Sequence, residues 1–172
     1  MRNLIFTLLT AFLILGSTAA ANAQEWTKLA PNGIGFEVMM PGTPKLTTET
    51  KDSAEGPLTT NLYILSTEEA LFLVGYVDYS PTFKFNVRSE INANRDNFLK
   101  GFQGSKLLAE KEISLTGSPG LEFTADLPNG RLVTSRIYIV GRRPYQLIAV
   151  TTKGADQTAT LKFLDSFKAK KA

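Results

Sequence analysis

The chain has 172 residues, with 19 Lys and Arg against 16 Asp and Glu, and contains neither cysteine nor histidine. A net charge of +3 is too small for the concentrated basic stripe of a nucleic-acid binder. The two missing residue types exclude disulfides, thiol redox chemistry, nearly all zinc sites, and the Ser-His-Asp and Cys-His nucleophilic arrangements.

Met1-Arg2-Asn3 precedes an apolar stretch from Leu4 to Leu15, followed by small residues that end in Ala21-Asn22-Ala23. This pattern predicts a signal peptide over residues 1–23, with Gln24 as the first mature residue. The apolar stretch is shorter than the roughly 20 residues needed to span a bilayer, so no transmembrane anchor is expected after cleavage. An uncleaved N-terminal anchor is the alternative. No cysteine follows the leader to carry a lipid. Arg2 is the leader's one charged residue, so the exported chain carries a net charge of +2. Residues 24–172 read as a single domain, periplasmic or secreted from a bacterium.

Next, Ile34, Phe36, Val38 and Met40 alternate with Gly35, Glu37 and Met39, a strand over residues 34–40 stopped by Pro41-Gly42-Thr43-Pro44. Residues 45–56 are polar and read as an edge strand or a mobile loop. Residues 58–66 and 70–79 form two strands around Ser66-Thr67-Glu68-Glu69. The run Leu71-Phe72-Leu73-Val74 in the second implies burial on both faces, hence a central strand with helices on both sides of the sheet.

Residues 87–102 place Val87, Ile91, Phe98, Leu99 and Phe102 near helical spacing. Strands follow over 106–115, 121–127, 131–140 and 145–152. Residues 155–168 close the chain as a second amphipathic helix, with Leu161, Leu164 and Phe167 on one side and Phe163 beside them. The whole reads as an α+β domain of six to seven strands flanked by helices.

Two of these strands allow a prediction of register. A two-residue Asn129-Gly130 turn would set Phe123 opposite Arg136. A three-residue loop, Pro128-Asn129-Gly130, sets Glu122 opposite Arg136 and Leu121 opposite Ile137. The second register gathers charges on one face and apolar residues on the other. It is therefore expected, with Gly130 in the left-handed conformation.

Several segments together carry a likeness. They are Trp26, then Gly35-Phe36-Glu37-Val38 running into Pro41-Gly42-Thr43-Pro44, and Val74-Gly75-Tyr76-Val77-Asp78-Tyr79. Gly120-Leu121-Glu122-Phe123, Arg136-Ile137-Tyr138-Ile139-Val140-Gly141 and Lys162-Phe163-Leu164-Asp165-Ser166-Phe167 complete the set. In these the chain resembles the PsbP-like superfamily over nearly all of its mature length. The resemblance implies a mostly antiparallel sheet between helices, an α/β/α sandwich. It implies little about activity, because members include a photosystem II extrinsic subunit, a Ran-binding nuclear factor and exported proteins of unknown role. No catalytic motif of the family carries over.

Candidate sites have competing readings. Asp78 and Tyr79, where a buried strand leaves the sheet, are either a carboxylate and phenol at a pocket mouth or a strand end with Asp78 satisfied by turn amides. Glu122 and Arg136, with Tyr138 nearby, are either a ligand clamp or a stabilising pair on a sheet face. Phe83 and Phe85 are either a protein-contact loop or packing against the sheet edge. Glu49, Asp52 and Glu55 are either ligands for a hard cation or a solvated loop without EF-hand spacing. Arg142-Arg143 and the terminal Lys168, Lys170 and Lys171 would meet an anionic partner or membrane surface, or simply be solvated. No dinucleotide or phosphate-loop fingerprint is present, so no cofactor is expected.

The expected role is therefore that of an exported, non-enzymatic accessory protein. It would act through a contact surface on another protein of the cell envelope. A small-ligand or metal-binding protein with a pocket near Asp78 and Tyr79 is the alternative.

Overall fold

The computed structural model describes residues 25–84 and 86–170. The predicted signal peptide, Phe85 and Lys171 lie outside the described residues. Three short strands, β1 (Thr27–Leu29), β2 (Phe36–Met40) and β10 (Lys168–Ala169), form a small sheet in the order β1-β2-β10. The large sheet contains β3 (Lys45–Lys51), β4 (Leu58–Ser66), β5 (Ala70–Tyr79) and β6 (Lys106–Leu115). It also contains β7 (Ser118–Leu127), β8 (Arg131–Val140) and β9 (Arg143–Thr152), in the order β3-β4-β5-β9-β8-β7-β6. Every pairing in both sheets is antiparallel. The expected α+β architecture is present.

Two helices flank the large sheet on opposite faces. α1 (Val87–Lys100) starts at Asn86, whose side chain accepts a hydrogen bond from the Ser89 amide at 3.1 Å. That cap satisfies one of the helix's unpaired N–H groups. Gly101 ends it, its amide reaching the Asn97 and Phe98 carbonyls at 3.1 Å. Ile91 is buried, and Phe98 and Leu99 pack against Leu121, Phe123, Ala125, Val133 and Ile137 of β7 and β8.

The opposite face is covered jointly by α2 (Thr158–Asp165) and the small sheet. There Phe36, Val38 and Met40 from β2 join Phe163 and Leu164 from α2 over Phe72, Val74, Tyr145 and Leu147. β5 lies inside the sheet between β4 and β9, as its apolar run predicts.

The expected loop between β7 and β8 is the one observed. Leu127 pairs with Arg131, Glu122 with Arg136, and Leu121 with Ile137. Gly130 takes a φ of 70°, and Asn129 shares the left-handed region at 63°. The polar 45–56 segment divides, its first part becoming the exposed edge strand β3. At the other edge, β6 carries a bulge between Leu107 and Ala109.

Two expectations change at the termini. β1 does not announce itself in the sequence, because three residues are too few for an alternation pattern. The C-terminal helix is shorter than periodicity suggests, and its buried residues are Thr160, Phe163 and Leu164, while Leu161 is exposed. The reason is Ser166. Its hydroxyl donates to the Phe163 carbonyl at 2.7 Å and accepts from the Met39 amide at 2.8 Å. This stops the helix and delivers the chain to β2. Phe167 then enters the core, and β10 pairs Lys168 with Glu37 and Ala169 with Phe36.

Candidate functional site

Where β5 ends, the chain leaves the large sheet next to the tight turn joining β8 to β9. Val140 pairs with Arg143 across that turn, and Gly141 at φ 64° is its first central residue. A glycine there matches a two-residue hairpin turn twisting with its strands. Between this turn, the end of β5 and the C-terminal strand lies a cleft of about 380 Å³. Asp78, Tyr79, Arg142, Arg143, Tyr145 and Lys170 border it, with apolar wall from Val77, Pro81 and Val140.

Asp78 is held by a side chain and not by turn amides. Both Nε and Nη2 of Arg143 approach Asp78 Oδ1 at 2.7 Å. Arg143 Nη1 donates to the Ile34 carbonyl at 2.7 Å, and the Tyr145 hydroxyl reaches the same carbonyl at 3.4 Å. The guanidinium also sits 5.1 Å from the centre of the Tyr76 ring, within cation–π range. Burial opposes the charge on Arg143, but hydrogen bonds to Tyr145 and Asp78 outweigh it and raise its pKa. Tyr76 is pushed up to about 12, chiefly by burial.

Tyr79 has a different partner. Its hydroxyl donates to Glu90 Oε1 on α1 at 2.5 Å, and Asn94 Nδ2 donates to the same oxygen at 3.0 Å. Burial first, then the bonded carboxylate, raise the Tyr79 pKa. Phe83 stacks on the Tyr79 ring at 4.3 Å between centroids and 16° between planes. Phe83 thus packs on Tyr79 at the end of the interior strand β5, and Phe85 lies outside the described residues.

Glu122 and Arg136 occur elsewhere, on the face shared with α2. Arg136 Nε meets Glu122 Oε2 at 2.6 Å, Arg136 Nη1 meets Asp165 Oδ1 at 2.7 Å, and Lys111 Nζ meets Glu122 Oε1 at 2.8 Å. Burial works to raise the Glu122 pKa, yet the hydrogen bonds and charges of Lys111 and Arg136 bring it below the usual carboxylate range. Tyr138 belongs to the packing. Its ring lies across Gly120 and stacks on Phe167 at 5.8 Å and 10°, and burial raises its pKa. The arrangement ties β6, β7, β8 and α2 together and does not meet the Asp78 cleft.

The acidic loop is likewise engaged. Glu49 pairs with Lys51 at 3.2 Å, and Glu55 Oε2 accepts from the Lys84 amide at 2.9 Å. Among the described residues no three acidic side chains gather as a metal site. The sequence marked Asp78 and Arg142-Arg143 separately but not their convergence with Lys170. It also gave no sign of Glu90 as the acceptor for Tyr79.

No family model and no curated protein matches the chain. Among solved structures it is similar to cyanobacterial PsbP (CyanoP) from Synechocystis sp. PCC 6803. That likeness has a TM-score of 0.50 at 12% identity and covers 90% of this chain and 98% of the other. It is also similar to a protein of unknown function from Pseudomonas aeruginosa, with a TM-score of 0.43 at 10% identity, covering 74% and 83%. The fold is PsbP-like. Among the described residues no helix is long and apolar enough to cross a membrane.

Proposed function

We propose that the protein is an exported, non-enzymatic accessory protein that acts by contact with another protein of the cell envelope. The observation that carries this reading is a group of exposed apolar side chains where α1 turns into β6. Phe102, Leu107 and Leu108 are 41%, 39% and 47% exposed. The turn is pinned by Ser105, whose amide donates to the Phe102 carbonyl and whose hydroxyl donates to that of Leu99, both at 2.9 Å. A held turn presenting apolar groups is a contact surface at low ordering cost. The adjoining β6 edge is blunted by its bulge and by Lys106, Glu110, Lys111 and Glu112. A partner would therefore meet side chains and not add a strand. The commitment of Asp78, Glu122 and Arg136 to structural ion pairs supports a role in binding over turnover.

Photo-crosslinking in the source organism tests this. A benzophenone side chain placed at Phe102 or at Leu108 should yield an adduct with the same envelope protein, lost when Leu107→Glu is added. A control position at Thr158 should not. Absence of an adduct, or the same adducts from the control, would overturn the proposal. The cleft beside Asp78 favours a second reading, the binding of a small ligand.

A further inference from the structure

The cleft carries three cationic side chains, Arg142, Arg143 and Lys170, against Asp78, its one carboxylate among the lining residues. These charges are not equivalent. All three nitrogens of the Arg143 guanidinium are engaged, on Asp78 Oδ1, the Ile34 carbonyl and the Tyr145 hydroxyl. Arg143 and Asp78 therefore form a neutralised, fixed wall.

Arg142 is held differently. Its Nη2 donates to the Phe83 carbonyl at 2.6 Å and to the Ser80 carbonyl at 3.3 Å. Carbonyls orient the guanidinium without neutralising it. Among the described residues its Nε and Nη1 donate to nothing, so these N–H groups remain as separate donors beside an uncompensated charge. Lys170 is anchored through its backbone, the amide donating to the Gly35 carbonyl at 2.9 Å. Its ammonium makes no ion pair among the described residues.

Two uncompensated cations thus face one concavity, with Val77, Pro81 and Val140 beside them. Apolar walls focus the field of such charges, and the free N–H groups of a held guanidinium donate charge-assisted hydrogen bonds to the oxygens of a carboxylate or phosphate. The cleft volume falls at the lower end of the range for small-molecule sites. A divalent cation suits it poorly, because the one carboxylate is already bound to Arg143.

We propose that this cleft binds a small organic oxyanion, a carboxylate or phosphate ester with a short apolar body, held by the free N–H groups and charge of Arg142 and by Lys170. The apolar body lies against Val77, Pro81 and Val140. The proposal rests on the ligand-binding reading of the cleft and is independent of the surface at Phe102, Leu107 and Leu108.

Titration of the isotope-labelled exported protein, followed by nuclear magnetic resonance at fixed ionic strength, tests it. The probes are hexyl phosphate, hexanoate, inorganic phosphate, hexylamine and hexanol. Hexyl phosphate or hexanoate should move the Gly141 amide and the Arg142 Nε–H signals saturably, and more tightly than inorganic phosphate. The stronger of the two identifies the headgroup. Arg142→Gln with Lys170→Gln should weaken that binding at least about tenfold, the loss of two charge-assisted contacts. Lys45→Gln, on the remote edge strand, should leave it unchanged.

Both cleft residues are exposed, and an unchanged amide spectrum outside the cleft verifies that the double variant is folded. Saturable binding of hexylamine or hexanol but of neither anion would overturn the oxyanion assignment and leave the ligand-binding reading standing. No saturable shift with any probe would overturn both. Equal anion affinity in the double variant would overturn the assignment to Arg142 and Lys170.

Discussion

Gly120 has no room for even one more carbon. A Cβ there would lie 2.5 Å from the Ile137 carbonyl oxygen and 2.6 Å from Cδ1 of Tyr138. The first obstacle is backbone, so a rotamer change cannot relieve it. The second is a ring pinned against Phe167. Gly120→Ala should therefore destabilise the fold by about 1–3 kcal/mol, the usual cost of overpacking, measured as a fall in the urea midpoint with an unchanged slope. A Gly117→Ala control has open space around its Cβ, but its φ of 79° adds backbone strain. The comparison is therefore made with Ala109→Ser, on the exposed edge strand β6, where little change is expected. In sequence, Gly120 stands directly before the expected strand 121–127, in a segment that carries the PsbP-like likeness, with no packing role assigned to it. Its reason becomes visible only when register places Tyr138 opposite it.

At the scale of elements, the Glu122–Arg136 pair shows what was legible and why. Alternation in β7 and β8 gives each strand a charged and an apolar face, and only one loop length brings the like faces together. The register could therefore be derived before any coordinates. The contact of Arg136 with Asp165 could not, because no local pattern relates α2 to the β8 charge stripe.

The Glu122 pKa is lower in the folded protein than its ordinary value. Its contribution to stability is therefore fully present above the unfolded carboxylate range, near pH 4.3. It is lost as pH falls through the lower folded value. Arg136→Ala removes that contribution and leaves a largely buried carboxylate with Lys111 alone. The expected cost at neutral pH is about 1–3 kcal/mol. Stability of the variant should also fall less steeply on acidification than that of the parent. A variant losing stability in parallel with the parent from neutral pH to pH 3 would show that the pair is not the source of the slope.

For the whole molecule, the two sheets share one core. Phe36 of the small sheet touches Tyr63, Tyr76, Tyr145 and Phe167 at ring distances of 5.7 to 6.1 Å. Trp26, just before β1, packs edge-on against Phe72 at 6.3 Å, with Lys162 Nζ 4.4 Å from its ring centre. Unfolding followed by Trp26 fluorescence and by far-ultraviolet circular dichroism should therefore coincide. An earlier fluorescence transition would mean that the small sheet opens alone. Sequence patterning conveyed the large sheet and both helices, because each has enough residues to show a period. Of the small sheet it conveyed only β2, from the alternation over residues 34–40; β1 and β10 are three and two residues long and depend on distant partners. A pocket mouth at Asp78 and Tyr79 is one of the readings the sequence allows, but its basic wall is hidden for the same reason: Asp78 and Arg143 are 65 positions apart.

The pairing of β2 with β10 sets an order of events for a newly made chain. Glu37 meets Lys168 across 131 positions, so the small sheet cannot close until Lys168 is available. A chain emerging N-terminus first would hold Phe36, Val38 and Met40 without the cover of Phe163, Leu164 and Phe167 until those residues emerge. Lys168 and Ala169 then act as a latch, and completion of the native core is timed to their arrival.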